Sequence, residues 1–90
     1  MTGGDIAFLP RGVRTHYDAV RRTDVLMGPE RVLMLDAIGK AILERLDGTA
    51  SVEAIVADLA QTYDAPVEVI APDVTAYLTD LHGKGFVHVR

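Results

Sequence analysis

Residues 25–36, VLMGPERVLMLD, decide the fold, because they place two short apolar runs on either side of a turn sequence. Gly28-Pro29-Glu30 is typical of a tight turn, since proline presets a backbone dihedral that such a turn requires. The flanking runs, residues 25–27 and 31–35, are rich in β-branched and long apolar side chains. Such runs around a turn predict an antiparallel hairpin.

A further strand precedes this hairpin. In residues 13–18, VRTHYD, the side chains alternate between two faces, with Val13, Thr15 and Tyr17 on one of them. A period of two is typical of a half-buried strand. With a polar connection at residues 21–24, the region predicts a meander of three short antiparallel strands.

Beyond the hairpin the apolar period becomes helical. Asp36 is a good N-cap for a first helix, because its carboxylate can accept from the free N–H groups of the first turn, and Asp47-Gly48 is a suitable C-terminal stop. Ser51 can cap a second helix that ends near Tyr63. The side chains expected to face the core along these two helices are Ile38, Ala41, Ile42, Leu43, Leu46, Val52, Ile55, Val56, Leu59 and Tyr63.

The third helix, residues 66–82, is predicted to be the longest. Pro72 lies on its solvent side, where it either bends the helix or breaks it into two pieces. Gly83-Lys84-Gly85 ends the helix, and residues 86–89 could form a short final strand. The core-facing side chains of the helix are predicted to be Val67, Ile70, Val74, Tyr77, Leu78 and Leu81.

Together these elements predict an α+β fold that is winged-helix-like. A three-stranded antiparallel sheet is followed by three helices and a short C-terminal strand. The chain has 90 residues, which suits a single domain. We expect residues 1–9 to be a flexible N-terminal arm and residues 10–90 to be the domain.

Composition argues against catalysis. The chain has no cysteine, so it has no disulfide, thiolate-held metal or cysteine nucleophile. His16, His82 and His88 are scattered rather than spaced as a helical metal site requires. No phosphate-binding glycine loop is present. We therefore expect no catalytic residues, no metal site, no cofactor and no enzymatic activity.

The sequence also predicts where the protein works. No signal peptide opens the chain, and nowhere do 18 apolar residues follow one another. We therefore expect a cytoplasmic protein without a membrane partner.

Three helices beside a small sheet also describe winged-helix DNA-binding proteins, so DNA binding is a second hypothesis. A recognition helix presents basic and amide side chains to DNA. Residues 66–82 instead carry Glu68, Asp73 and Asp80 and no Lys or Arg. The formal net charge is −4, which also disfavours phosphate binding, and we expect no nucleic-acid partner.

The meander leaves an edge strand whose free N–H and C=O groups an extended peptide can join. If residues 31–35 form that edge, alternation puts either Val32 and Met34 or Leu33 and Leu35 on the core side. Met34 is the adaptable kind of apolar contact that peptide grooves use, although all four side chains could equally pack in the core. The edge residues are Arg31, Val32, Leu33, Met34 and Leu35.

Three runs resemble the PqqD family, of pyrroloquinoline quinone biosynthesis. They are VLMGPERVLMLD, AILERLDGTASVEAI and DVTAYLTDLHGKGFV. The most specific pieces are Pro29-Glu30-Arg31, Asp47-Gly48 and Asp73-Val74. The resemblance covers nearly all of the chain, from Leu9 to Val87.

The resemblance implies a winged-helix-like domain that binds a ribosomally made precursor peptide and presents it to a radical S-adenosylmethionine enzyme. That enzyme cross-links a glutamate and a tyrosine of the peptide, and its iron–sulfur chemistry would lie outside this cysteine-free chain. The peptide would add a strand in the cleft between the third strand and the third helix. Carried onto this sequence, the site comprises residues 31–35 and the helix positions that we nominate beside them, which are Val69, Asp73, Ala76 and Asp80.

Charge is uneven along the chain. Residues 1–45 carry seven basic against six acidic side chains, whereas residues 46–90 carry two against seven. We hypothesise that basic side chains of the strand region dock an acidic patch of the partner enzyme, or acidic side chains of the peptide, with plain solubility as the alternative. The nominated residues are Arg11, Arg14, Arg21 and Arg22.

Three hypotheses therefore stand. A non-catalytic peptide adaptor is favoured, a DNA-binding winged helix is second, and a structural subunit of a larger enzyme without its own ligand is third. An open edge strand could also pair with a second copy, so a homodimer stays open.

Overall fold

The computed structural model describes residues 1–90 and follows the predicted order, with one additional short strand at the start. The strands and helices along the chain are β1 (Ala7–Phe8), β2 (Arg14–Asp18), β3 (Thr23–Gly28), β4 (Arg31–Met34), α1 (Ala37–Leu43), α2 (Val52–Thr62), α3 (Val67–Gly83) and β5 (His88–Val89). The antiparallel sheet has the order β2-β3-β4, and β1 pairs separately with β5. The predicted three-stranded sheet, three helices and C-terminal strand are thereby confirmed.

The β3–β4 hairpin turns where the sequence predicts. Gly28 pairs with Arg31, so Pro29 and Glu30 are the two turn residues. Glu30 has a φ of 61°, which is the left-handed conformation that the second position of such a turn requires. The turn fixes the register that places Leu26 opposite Leu33.

The sheet contributes one face to the core. Leu26 is fully buried, Leu35 is buried, and Leu33 packs against the same cluster. Leu33 and Leu35 are therefore the core-facing pair, and Val32 and Met34 face the other way. The rest of the core comes mainly from the three helices and from Phe86 and Val87.

β2 is less buried than its pattern predicts. Four of its five residues are exposed, including Thr15, and Tyr17 is 55% exposed. The expectation of a half-buried strand is wrong, because β2 packs mainly against β3 and no helix covers its side chains. Val13, just before the strand, is the residue of that run that packs against the core.

Two of the predicted helix caps are present. The Asp36 carboxylate accepts from Gly39 N, and the Ser51 hydroxyl accepts from Ala54 N. α1 ends at Leu43, earlier than the Asp47-Gly48 stop that the sequence suggests. Asp47 instead orders the α1–α2 connection, because its Oδ1 accepts from the backbone N–H groups of the two residues after Gly48. These bonds hold the pKa of the Asp47 carboxyl below its usual value.

α3 is a single helix that continues through Pro72. The interpretation that Pro72 breaks the helix is therefore wrong. Pro72 lies on the exposed side, where water can satisfy the carbonyl that proline leaves without a donor. Val67, predicted in the core stripe, is 47% exposed because it lies in the first turn, beyond the edge of the core.

Residues 1–9 differ from the predicted flexible arm, because the structure ties them to the domain. Ala7 is fully buried, and Ile6 and Arg90 exchange backbone hydrogen bonds of 3.0 and 2.9 Å. The carbonyls of Gly3 and Asp5 accept from the first two N–H groups of α2. The N-terminal segment therefore satisfies donors that a helix start leaves free.

No helix of the structure combines the length and the apolar character that crossing a membrane requires.

The packing of the N-terminal segment leads to a stability prediction. Ala7→Glu should lower the free energy of unfolding by about 3 kcal/mol or more, because it buries an unpaired carboxylate. The matched control is Ala57→Glu, the same change at an exposed position of α2, which should alter it by no more than about 0.5 kcal/mol. Urea unfolding followed by circular dichroism compares the two, and equal midpoints would contradict the packing of β1.

Candidate functional site

β4 carries an unpaired row of backbone groups. Leu35 N donates to Asp24 O at 2.9 Å, which continues the β3–β4 ladder by one residue. Hydrogen bonding alternates along an antiparallel pair, so Leu35, Leu33 and Arg31 direct their N–H and C=O groups toward β3. The N–H and C=O groups of Val32 and Met34 consequently point away from the sheet. The row is open because β4 has no strand on its other side.

The side chains of the same two residues are apolar and exposed. Val32 is 49% exposed and Met34 is 66% exposed, on the sheet face opposite the main core. Met34 lies across from Val25, which is itself buried. An added strand would therefore meet both backbone partners and apolar contacts at these two positions.

Arg31 links β4 to the end of α3. Its guanidinium lies over the Phe86 ring at 4.2 Å, and its Nη1 donates to Lys84 O at 2.5 Å. The side chain therefore connects the start of β4 with the residues that follow α3. Arg31 is nominated from the sequence as a peptide contact, and the structure places its side chain in this contact within the domain.

A groove begins close to where β4 ends. It has a volume of about 510 Å³ and lies between the N-terminal end of α1, the C-terminal end of α2 and the first half of α3. Asp36, two residues after β4, is at one side of it. The lining is mostly apolar and consists of Asp36, Ile38, Gly39, Ile42, Leu59, Tyr63, Ile70, Asp73, Val74 and Tyr77.

The structure brings only part of the nominated set to this groove. Of the four nominated α3 residues, Asp73 lines it, whereas Val69, Ala76 and Asp80 do not. Asp80 forms an ion pair with Lys84 at 2.8 Å. The peptide contacts of these residues remain a prediction.

Sequence reasoning missed much of the groove. The helical spacing of Ile38 and Tyr63 predicts that both lie in the core, but they are 51% and 46% exposed. Each lies at the end of its helix, where the core no longer covers the apolar side. The available signal was the position of these apolar residues at helix ends. An apolar side chain there stays exposed when the neighbouring helices and strands are too short to cover it.

The polar groups of the groove meet around Gly39. The Asp36 carboxylate accepts from Gly39 N at 2.7 Å, and a Cβ on Gly39 would lie only 2.5 Å from the Tyr77 hydroxyl oxygen. Glycine is therefore required for this close approach. Burial of the Tyr77 side chain, with added repulsion from the Asp36 and Asp80 carboxylates, raises the pKa of its phenol.

The four nominated arginines lie on or beside β2. Arg14 is in the strand, Arg11 precedes it, and Arg21 and Arg22 lie in the turn that leads to β3. The Asp18 carboxylate orders this turn by accepting from the backbone N–H groups of Val20 and Arg21, and it pairs with the Arg21 guanidinium at 3.5 Å. The β2–β3 turn thus presents Arg22 and the 94% exposed Val20 on an ordered loop.

Comparison with known proteins gives concordant matches. The sequence model of the family described as Coenzyme PQQ synthesis protein D (PqqD) matches residues 25–87. A Rhizobium meliloti (strain 1021) protein named PqqA binding protein is 44% identical over 89 residues, which are 99% of this chain and 91% of that protein. A Methylorubrum extorquens protein named bifunctional coenzyme PQQ synthesis protein C/D is 42% identical over 92% of this chain and 22% of its own length.

Two solved structures are similar as well. The solution NMR structure of the PqqD truncation of Methylobacterium extorquens PqqCD has a TM-score of 0.83 and 40% identity, covering 97% of this chain and 93% of its own. It is described as a stand-alone recognition element for ribosomally synthesised and post-translationally modified peptides. The crystal structure of PqqD from Xanthomonas campestris has a TM-score of 0.61 and 41% identity, covering 87% of each chain.

The surroundings of Tyr77 predict its titration. In the Tyr17→Phe/Tyr63→Phe protein, where Tyr77 is the only tyrosine, the phenol should ionise above pH 10.0 by ultraviolet absorbance. Asp36→Asn should lower this pKa only in part, since burial is the larger cause. The folded state holds the proton more tightly than the unfolded state, so this contribution to stability is complete below about pH 10 and is lost as the pH rises. Ionisation at pH 10.0 would contradict the burial of the hydroxyl.

Proposed function

The chain belongs to the PqqD family of coenzyme PQQ synthesis proteins, and from this we propose that it binds the precursor peptide PqqA as a non-catalytic adaptor in that pathway. The relative from Rhizobium meliloti is named for PqqA binding, and the similar domain of PqqCD is described as a peptide-recognition element. The proposal extends that role to this chain.

The observation that carries the proposal is the open edge of β4. The outward backbone groups of Val32 and Met34 offer two donors and two acceptors to an extended peptide, at the spacing of a β-ladder. An added strand would make the sheet four-stranded. Specificity must then come from side chains, because backbone pairing is the same for any sequence.

The groove supplies a place for such side chains. A peptide that runs along β4 past Met34 reaches the level of Asp36, at the side of the groove. The Ile38, Ile70 and Tyr63 side chains offer an apolar lining that is open to a ligand. Burial of one large apolar side chain is worth about 2 kcal/mol, which makes the groove a natural anchor for the peptide.

The partner enzyme belongs to the proposal as well. The family resemblance implies a radical S-adenosylmethionine enzyme, and the M. extorquens relative combines C and D functions in one protein. We assign docking of the radical enzyme to the β2 side of the sheet, where Arg11, Arg14, Arg21 and Arg22 lie. This surface includes the other outer strand of the sheet, so both partners could bind at once.

The two alternatives are weaker. α3 is the helix expected to read DNA in a winged-helix protein, but its exposed side chains include Glu68, Asp73 and Asp80. A subunit without its own ligand would leave the β4 edge and the adjoining groove without a use.

Backbone substitution at Val32 tests the peptide site. Val32→Pro removes an outward N–H but leaves the β3–β4 ladder intact, since proline is tolerated at such an edge position. The affinity for synthetic PqqA should fall about tenfold or more by calorimetry, through loss of a hydrogen bond and obstruction by the ring.

Val32→Ala and Leu33→Pro are the controls. Val32→Ala keeps the N–H and should weaken binding less, whereas Leu33→Pro removes a ladder bond and should destabilise the fold itself. A folded Val32→Pro variant that binds PqqA as tightly as Val32→Ala would contradict strand addition. Sedimentation of the protein alone reports whether it dimerises, and a dimer that is lost in the Val32→Pro variant would use the same edge.

Charge reversal tests the docking surface. Arg21→Glu/Arg22→Glu should weaken binding to the radical S-adenosylmethionine enzyme about tenfold at low salt and should reduce its salt dependence. Binding of PqqA alone should change much less than binding of the enzyme. If the affinity for the enzyme at low salt is unchanged, these arginines do not dock the enzyme and serve only solubility.

A further inference from the structure

The charges around the groove are all of one sign. Among its ten lining residues, Asp36 and Asp73 are the only two that are charged at neutral pH, and no Lys, Arg or His is present. The groove therefore has an apolar interior and two carboxylates beside it.

Nothing in the domain neutralises the second of these carboxylates. Asp73 has no ion pair and no side-chain hydrogen bond in the structure. The lysine at the end of α3, Lys84, is paired with Asp80 at 2.8 Å. Lys40 of α1 lies near Asp24 and Glu44, at 3.4 and 3.7 Å.

The two groove carboxylates have different tasks. Asp36 accepts from Gly39 N and thereby caps α1, so part of its charge already serves the helix. Asp73 lies in the middle of α3, where neither end of the helix needs it. Because the Asp73 side chain is exposed and unpaired, a ligand can approach it without first breaking a contact.

We propose that the groove selects a peptide segment in which a large apolar side chain is followed or preceded by a positively charged one, with Asp73 contacting the positive charge. This rests on the proposed peptide-binding function and adds the chemistry of the segment that is recognised. The apolar side chain occupies the space beside Ile38, Ile70 and Tyr63, and the neighbouring cation reaches the carboxylate at the side.

The negative potential of the groove also works against the wrong segment. A glutamate or aspartate next to the anchor would meet Asp36 and Asp73, the two carboxylates that line the groove. Repulsion of like charge discriminates between peptides that could all add a strand to β4 equally well. Burial is the main cause of the raised pKa of the Tyr77 phenol, and the smaller contributions of Asp36 and Asp80 are consistent with this negative field.

A charge series on α3 tests the proposal with synthetic PqqA as the probe. At low ionic strength, Asp73→Asn should weaken binding about threefold and Asp73→Lys about tenfold or more, which is the range for an exposed ion pair and its reversal. Glu68→Gln and Glu68→Lys are matched controls, because Glu68 is an exposed carboxylate of the same helix that does not line the groove. The Glu68 variants should change the affinity less than twofold.

Peptide variants complete the test. Replacing each Arg or Lys of PqqA in turn by Glu should identify one position at which the substituted peptide binds the Asp73→Lys protein better than the unmodified protein. Equal effects at Asp73 and Glu68, or the absence of any such rescue, would overturn the proposal. If the charge test fails in this way while Val32→Pro still weakens binding about tenfold or more, the peptide-binding function stands without the proposed selectivity. If the unmodified protein does not bind PqqA at all, both proposals fail.

Discussion

The alternation of hydrogen bonds along β4 is the constraint on which the site depends. The backbone groups of Leu33 and Leu35 point toward β3, and their side chains point into the core. Val32 and Met34 are left with free backbone groups and free side chains at once. A shift of the hairpin by one residue would exchange the two sets, so the Pro29-Glu30 turn controls the chemistry of the edge as well as its position.

Much of the fold could be predicted because its signals are local. The turn residues, the caps at Asp36 and Ser51 and the periods of the strands and helices each act within a few residues, and the strands and helices that they predict are present in the structure. The errors concern long-range packing. Nothing within residues 1–9 indicates that they pair with β5 and with the start of α2. The alternation of residues in β2 likewise does not show whether another layer of the protein covers the strand.

The candidate site likewise has a part that depends on local sequence, the β4 edge, and a part that depends on long-range packing, the groove. The open edge follows from a single hairpin, so the sequence was sufficient to nominate it. The groove includes Ile38 of α1, Tyr63 at the end of α2 and Tyr77 of α3, and apolar spacing alone assigns such residues to the core. The helix face of Asp73 is enough to nominate it, but its position beside a cavity depends on how the three helices pack.

The pairing of β1 with β5 brings the first and last strands of the chain into one two-stranded ribbon. Ile6 and Arg90 are joined by reciprocal backbone hydrogen bonds, and the residues before Ile6 continue to the start of α2. A covalent tether attached at residue 90 would consequently pull directly on the ribbon, whereas one attached at residue 1 would pull first on the contacts with α2. At either end, linker length would set the effective concentration of the domain near its companion.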